Sequence, residues 1–361
     1  FICIIPEKSE SYAKNIIPLP LPKPTTNNIG KVISNPKFLP LRKPQYLGPF
    51  GSNYKYLLNK KDRTSFSKAI VAAKLKRWSK ARKLVENIKP SVVKNFITWL
   101  YLKDINSKAD FRFRAIFIRK HHNWPEMKLI RSRAEKFAND GSMLSSERIN
   151  WFAMFPPLTG SGLESLANAH KDKNELDQST KLAKQAWHLH NFTAYEEKRF
   201  LKSFGYLFNK KDHEIRLENL IWDRKFSSSR RMLKRVNKSH RRLAEARIAL
   251  KTSSYGVDAK IARVPNNLRQ HSSLTFDRIK WRRKRGKYLS AKKLILENTN
   301  DSIRPTLWWK ERYILSRHSI SRNRMEEAYA ITSSHKAKDN LSIFEAEWQS
   351  GWLLNSFIGD Y

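Results

Sequence analysis

From about Asn53 onward the apolar residues recur at helical spacing and not at strand spacing, which removes most fold classes at once. Phe66, Ala69, Ile70 and Ala73 are spaced i, i+3, i+4, i+7 and line one helix face. Phe344, Trp348, Gly351 and Trp352 are spaced i, i+4, i+7, i+8 and predict a second such face, read here as core packing with Gly351 between the two indoles. Alternating patterns are nearly absent, and glycines fall where turns are expected, at Gly141, Gly160, Gly162 and Gly286. Pro125 suits a first helical turn, where its missing amide donor is harmless, and Glu126 would complement the positive helix end. With helices of about 11 to 12 residues and connections of about 4 to 6, the stretch holds roughly 18 to 20 helices. Residues 53–361 are therefore expected to form an all-α domain.

A weak internal repeat refines this. "FSKAIVAAKLKRWSKARKLVENI" (66–88), "FDRIKWRRKRGKYLSAKKLILEN" (276–298) and "WKERYILSRHSISRNRMEEAYAI" (309–331) each run aromatic helix, basic turn, then Ala-x-x-Leu or Ala-x-x-Ile. Ala81, Ala291 and Ala328 mark points where a small side chain lets two helices approach closely. Stacked helix pairs of this kind build an αα-superhelix, a solenoid expected to curve into a U or ring. Phe276, Ile279, Ala291 and Leu294 then serve packing. Arg282, Arg283, Lys284 and Arg285 surround the intervening turn, either as a solvated face, the favoured reading, or as a contact to an anionic glycan.

Nine prolines (Pro6, Pro18, Pro20, Pro22, Pro24, Pro36, Pro40, Pro44, Pro49) fall in the first 49 residues, so residues 1–52 are expected to be an extended or disordered leader. "FICII" at its start reads either as the tail of a secretory signal or as an apolar strand end. Cys3 is the single cysteine, which excludes an intramolecular disulfide. No apolar run approaches the ~18 to 20 residues of a membrane-spanning helix. With 11 Trp and 19 Phe the chain carries too much large apolar surface to be disordered throughout. The 72 Lys and Arg exceed the 32 Asp and Glu, giving a formal net charge of +40, so an anionic partner is expected: nucleic acid, acidic lipid or a carboxylate-bearing polymer.

Chemistry is hard to find. His213-Glu214 lacks the second histidine of a zinc-binding helix, and His188 and His190 point to different sides of theirs, so structural histidines and no metal or cofactor are expected. "GKYLS" (286–290) lacks the glycine frame of a phosphate loop. Glu164-Ser165 could mark a general acid, but Ser161 and Glu164 have the spacing of a capping box, which is the better account. Glu10-Ser11 lies in the leader. Glu311, Arg312, Asp212 and Arg216 read as ion-paired ties between neighbouring helices. "WWKER" and "EAEWQSGW" could stack on sugar rings, although core packing is favoured.

Six stretches in order, "DFRFRAIFIRKHHNWPEMKLIRSRAE" (110–135), "ERINWFAMFPPLTGSGLESLANAH" (147–170), "DHEIRLENLIWDRKFSSSRRML" (212–233), "LTFDRIKWRRKR" (274–285), "WWKERYILSR" (308–317) and "EAEWQSGWLL" (345–354), resemble the superhelical domain of bacterial soluble lytic murein transglycosylases. One departure is Glu218, where the family usually carries Asp. The resemblance implies a periplasmic scaffold that encircles or orients peptidoglycan glycan strands, with association to the outer membrane and to other cell-wall enzymes as further expectations. It also implies a separate lysozyme-like module that cleaves the bond between N-acetylmuramic acid and N-acetylglucosamine, leaving 1,6-anhydro ends. That module's catalytic glutamate belongs to a "Glu-Ser" followed by "Gly-Leu-Met-Gln". The second motif is absent here, so the expectation is a truncated chain that binds and positions without catalysing. The rival is an RNA-binding helical repeat, suggested by the charge and by basic residues beside Trp78, Trp281 and Trp309; it is disfavoured because corresponding positions after each aromatic helix vary. A protein-docking solenoid of the envelope is compatible with the first reading.

Overall fold

The computed structural model describes residues 58–298 and 303–359. The leader over 1–52, with Cys3 and Glu10-Ser11, lies outside the described residues. Among the described residues there are eighteen α-helices and no strand. They are α1 (Lys60–Lys74), α2 (Trp78–Val85), α3 (Ser91–Lys103), α4 (Phe111–Lys120), α5 (Met127–Ala134) and α6 (Ser145–Met154). Then come α7 (Gly160–Asp172), α8 (Leu176–Leu189), α9 (Ala194–Phe204), α10 (Lys210–Trp222), α11 (Phe226–Met232) and α12 (Lys238–Thr252). The series ends with α13 (Val257–Ala262), α14 (Ser272–Lys284), α15 (Tyr288–Glu297), α16 (Pro305–Ile320), α17 (Met325–Ser333) and α18 (Asn340–Leu353), the last running into a π turn over Leu354–Ile358. The all-α expectation holds.

Extensive packing joins helices that are adjacent or next but one in chain order, such as α7 with α8, α8 with α10, α10 with α12, α12 with α14 and α14 with α16. The apolar interior divides into four clusters, the largest running from Tyr101 in α3 to Ile248 in α12. One lies under α1 to α3 around Ala69, Ala81 and Ile97; another joins Trp222 to Phe276, Ala291, Trp308 and Ile331.

Five of the helix pairs are joined by one and the same turn. Lys76, Asn174, Arg224, Gly286 and Asn323 all adopt left-handed backbone, with φ of 56°, 63°, 59°, 71° and 56°. The residue after each, Arg77, Glu175, Lys225, Lys287 and Arg324, donates its amide to a carbonyl five residues earlier at 2.8–3.0 Å, the bond that closes a Schellman cap. The second helix begins two residues after the left-handed one in every case. Five residues after it comes a buried small side chain: Ala81, Ser179, Ser229, Ala291 or Ala328. The three alanines anticipated as close-approach points are all fully buried. In two pairs, α7 with α8 and α10 with α11, serine stands where the other three have alanine. Ser179 keeps its hydroxyl satisfied by donating to the Ala167 carbonyl of the partner helix at 2.8 Å.

Buried arginines bind neighbouring helices together. Arg216 donates to the carbonyls of Trp187 and His190 at 2.6 and 2.7 Å, closing the C-terminus of α8, and its guanidinium lies 4.0 Å from the Trp187 ring centroid. Burial lowers its pKa to about 10, against the pull of Glu197. Arg312 does the same for α17 through the Ile331 carbonyl, 3.0 Å, and Ser334 Oγ, 2.8 Å. Asp212 meets His188 at 2.8 Å and Lys184 at 3.4 Å, and Glu311 meets Arg283, so these expected ties exist.

Three local expectations are corrected. Pro125 does not open a helix: its carbonyl is taken by the Trp99 indole at 2.9 Å, Glu126 turns left-handed at φ 57° and pairs with Lys103, and α5 starts at Met127. Ser161 does not cap α7 with Glu164. Thr159 is the cap, accepting from the Gly162 amide at 3.1 Å, and Glu164 is buried against Arg199. Trp348 and Trp352 are not core residues, being 62% and 37% exposed, and nothing lies within 4 Å of a Cβ placed on Gly351. α18 buries its opposite face, Ser342, Ala346, Gln349, Ser350 and Leu353.

Candidate functional site

α10, α12 and α14 end side by side, and the residues at those ends enclose a small basic cleft. Arg224 follows α10, Lys251 and Ser253 close α12, and Lys280, Trp281 and Lys284 come from the last turns of α14, around Asp277. Helix C-termini carry partial negative charge, which the basic last turns of α12 and α14 offset.

Beneath the cleft lies a buried network. Asp277 meets Arg247 Nε at 2.9 Å and Lys251 Nζ at 2.8 Å. Arg247 also pairs with Glu218, which accepts from Ser273 and from the Trp222 indole. Burial works against the charge on Glu218, yet Arg247, Ser273 and Trp222 hold its carboxyl below the ordinary value. Lys251 is pushed the other way for a base: burial lowers its pKa, and Asp277 only partly restores it against Arg247 and Lys280. The Glu218 carboxylate is thus a fixed anion for a buried arginine.

Asp277 is neutralised by two cations and is the one carboxylate among the described residues that line the cleft. Arg224 gives a 3.3 Å bond to the Lys251 carbonyl, and neither it nor Lys284 meets a carboxylate among the described residues. The cleft's volume, about 30 Å³, suits one oxygen of a carboxylate or phosphate and excludes a sugar ring.

The four residues singled out in the sequence part company. Arg282 donates to the Ser290 carbonyl at 3.1 Å and clips α14 to α15. Arg283 grips Glu311 through two bonds of 2.6 and 3.1 Å. Arg285 lies 4.9 Å from the Trp281 ring centroid. Lys284 alone reaches the cleft, joined there by Arg224, Lys251 and Lys280, none of which was singled out. Their convergence depends on helices α10, α12 and α14, which are remote in sequence.

The remaining candidates are structural. Glu164 is held by Arg199 at 2.6 and 3.2 Å; burial pushes its carboxyl up in spite of that partner. Glu135, unmarked by any motif, is fully buried and accepts from the Leu158 and Thr159 amides and the Thr159 hydroxyl at 2.6–2.8 Å, closing the start of α7. A Cβ on Gly162 would sit 2.4 Å from Glu135 Oε2, so this glycine makes room for that carboxylate. His213 accepts from the Trp187 indole at 3.2 Å. Among the described residues no group of three His, Cys, Asp or Glu is arranged to hold a metal, and no helix is long and apolar enough to cross a membrane. Comparison of the chain with protein-family models, with curated proteins and with solved structures finds no match.

Proposed function

We propose that this chain is a superhelical scaffold that binds and positions the glycan strands of peptidoglycan, attracting the carboxylates of their peptide stems, and acts in the periplasm as the non-catalytic part of a lytic transglycosylase system. The family assignment rests on the six ordered stretches between residues 110 and 354. The observation that carries the functional reading is the surplus of +40 in the sequence, together with two bases at the cleft, Arg224 and Lys284, that meet no carboxylate among the described residues. Helix-pair packing supports a curved shell with this charge on its surfaces, and the cleft at Arg224 and Lys284 supports a carboxylate contact.

Co-sedimentation with purified sacculi at rising salt tests the reading. Retention is expected at low salt and is lost as screening shortens the electrostatic range. Replacing Arg224 and Lys284 together by Glu lowers retention about tenfold at low salt, with the melting transition unchanged. No retention at any salt overturns the proposal. So does tight, sequence-selective capture of unstructured RNA in a mobility-shift assay.

A further inference from the structure

The largest apolar cluster is fastened at one point by a histidine that has to stay neutral. Trp187 of α8 is fully buried and stacks on Phe200 and Phe208, with ring planes inclined by 2° and 8°. Its indole Nε1 donates to Nδ1 of His213, near the start of α10, at 3.2 Å. An indole can donate and cannot accept, so this bond requires a bare Nδ1 and leaves the ring's one proton on Nε2. The next proton can go only to Nδ1. There it would meet the indole N–H head on and leave that donor buried without an acceptor.

The surrounding charges oppose that proton as well. Arg216, three residues along α10, is fully buried with its guanidinium 4.0 Å from the Trp187 ring centroid. The carboxylate it meets, Glu197 of α9 at 3.7 Å, is shared with Arg231 of α11. Arg235, between α11 and α12, repels a charge on His213 too, and so does the start of α10, a positive helix end that carries Lys210 and Lys211. Asp212 favours the charge but is already engaged by Lys184 and His188 of α8. From α12, His240 is paired with Glu214. Burial holds the His213 imidazole below its ordinary value, Arg235 and Arg216 act the same way, and Asp212 opposes them only in part. His190, at the end of α8, is lowered by burial and by Arg216. The same Arg216 closes the end of α8 through the Trp187 and His190 carbonyls, so a cation on His213 acts on the joint between the two helices.

We infer that the joint between α8 and α10 is an acid-sensitive latch: proton uptake at His213 Nδ1 breaks the bond from the Trp187 indole, sets a new cation against Arg216 and loosens the two helices, while α1 to α3 keep their packing. The direction follows from linkage. The unfolded chain takes up the proton near the ordinary histidine value of about 6.5 and the folded joint resists it, so the joint is firm at neutral pH and weakens as pH falls below that value. Each further unit of pH shifts the opening equilibrium about tenfold until the folded ring is itself protonated. α1 to α3 hold no histidine and serve as the internal reference. The latch does not rest on the glycan reading.

Hydrogen exchange of the full chain at about pH 7.5 and about pH 5.5, corrected for the intrinsic pH dependence of amide exchange, reads the latch directly. Peptides from the end of α8 and the start of α10 are expected to lose protection about tenfold or more on acidification, while peptides from α1 to α3 keep theirs. In His213→Gln the carboxamide oxygen can accept from the indole but does not titrate, so the loss is expected to shrink by about tenfold. Arg235→Glu, at an exposed position, replaces a repelling charge by an attracting one and is expected to move the loss to lower pH; it tests the latch even where His213→Gln does not fold. An equal loss in the native chain and in His213→Gln overturns the latch. So does a loss of the same size in α1 to α3, the absence of any loss, or a loss whose pH midpoint does not move in Arg235→Glu.

Discussion

At the scale of single residues, five of the six buried carboxylates among the described residues are paired with a basic side chain. Glu164 shows what such a pairing is worth. It is nearly fully buried, and Arg199, itself 44% exposed, is the cation that grips it. Removing that cation leaves a buried carboxylate without compensation, while the exposed guanidinium was partly screened by water. We therefore expect Arg199→Ala to cost about 2 kcal/mol at neutral pH, below the full penalty for breaking a buried pair. The pH dependence has a definite sign. Burial already raises the Glu164 carboxyl above its ordinary value in the presence of Arg199, and loss of Arg199 raises it further. A carboxyl with a higher pKa folded than unfolded binds more protons in the folded state between those two values, so stability grows as pH falls through that window. The deficit of Arg199→Ala measured by thermal melts should shrink from pH 7 toward pH 5, and a deficit that grows on acidification would refute this account of Glu164. None of this was legible in the sequence, where Glu164 stood at capping-box spacing from Ser161. Thr159 took the cap because the chain enters α7 under the carboxylate of Glu135, a partner 24 residues earlier.

At the scale of helices, the recurring unit is a left-handed residue followed by an aromatic or aliphatic helix start and, five residues on, a small buried side chain. Only one of the five turns uses glycine. A non-glycine residue pays roughly 1–2 kcal/mol for left-handed backbone, while glycine loses more entropy on folding, so the two effects partly offset. Gly286 has open space where a Cβ would stand, which leaves backbone strain as the sole cost of a side chain there. Gly286→Ala is expected to lower stability by about 1 kcal/mol and Lys76→Gly to raise it by about 0.5 kcal/mol, both read from denaturant midpoints. Unchanged midpoints in both would mean that the turns are not held in this geometry. The helical class and the three alanine-bearing pairs were readable from period and small-residue spacing. The serine-bearing pairs were not, because what the turn requires is small volume and a satisfied hydroxyl rather than a given letter. The face of α18 was misread for a related reason. Periodicity shows that Phe344, Trp348 and Trp352 share a side, but which side meets the neighbour is set by packing, and here Ser342, Ala346, Gln349 and Ser350 fit against the stack while the indoles stay outside.

At the scale of the whole molecule, a chain whose helices pack on near neighbours behaves as a one-dimensional array, with stability built from units and the interfaces between them. The separate cores make the same statement in terms of side chains: Ala69, Ala81, Val85 and Ile97 form one cluster under α1 to α3, while Phe276, Ala291, Trp308 and Ile331 belong to another near the far end. Injury to one cluster should therefore stay local. Ala81 is fully buried where α2 meets α1, and enlarging it to leucine overpacks that interface at a cost of about 1–3 kcal/mol. Native-state hydrogen exchange of Ala81→Leu should show amides of α1, α2 and α3 exchanging faster, by a factor matching that cost, while amides of α16 and α17 keep their protection. Equal loss of protection along the chain would mean that the helices unfold as a single cooperative body. An array of semi-independent units can flex at their interfaces without unfolding, so a loss of protection in one unit need not spread to the next.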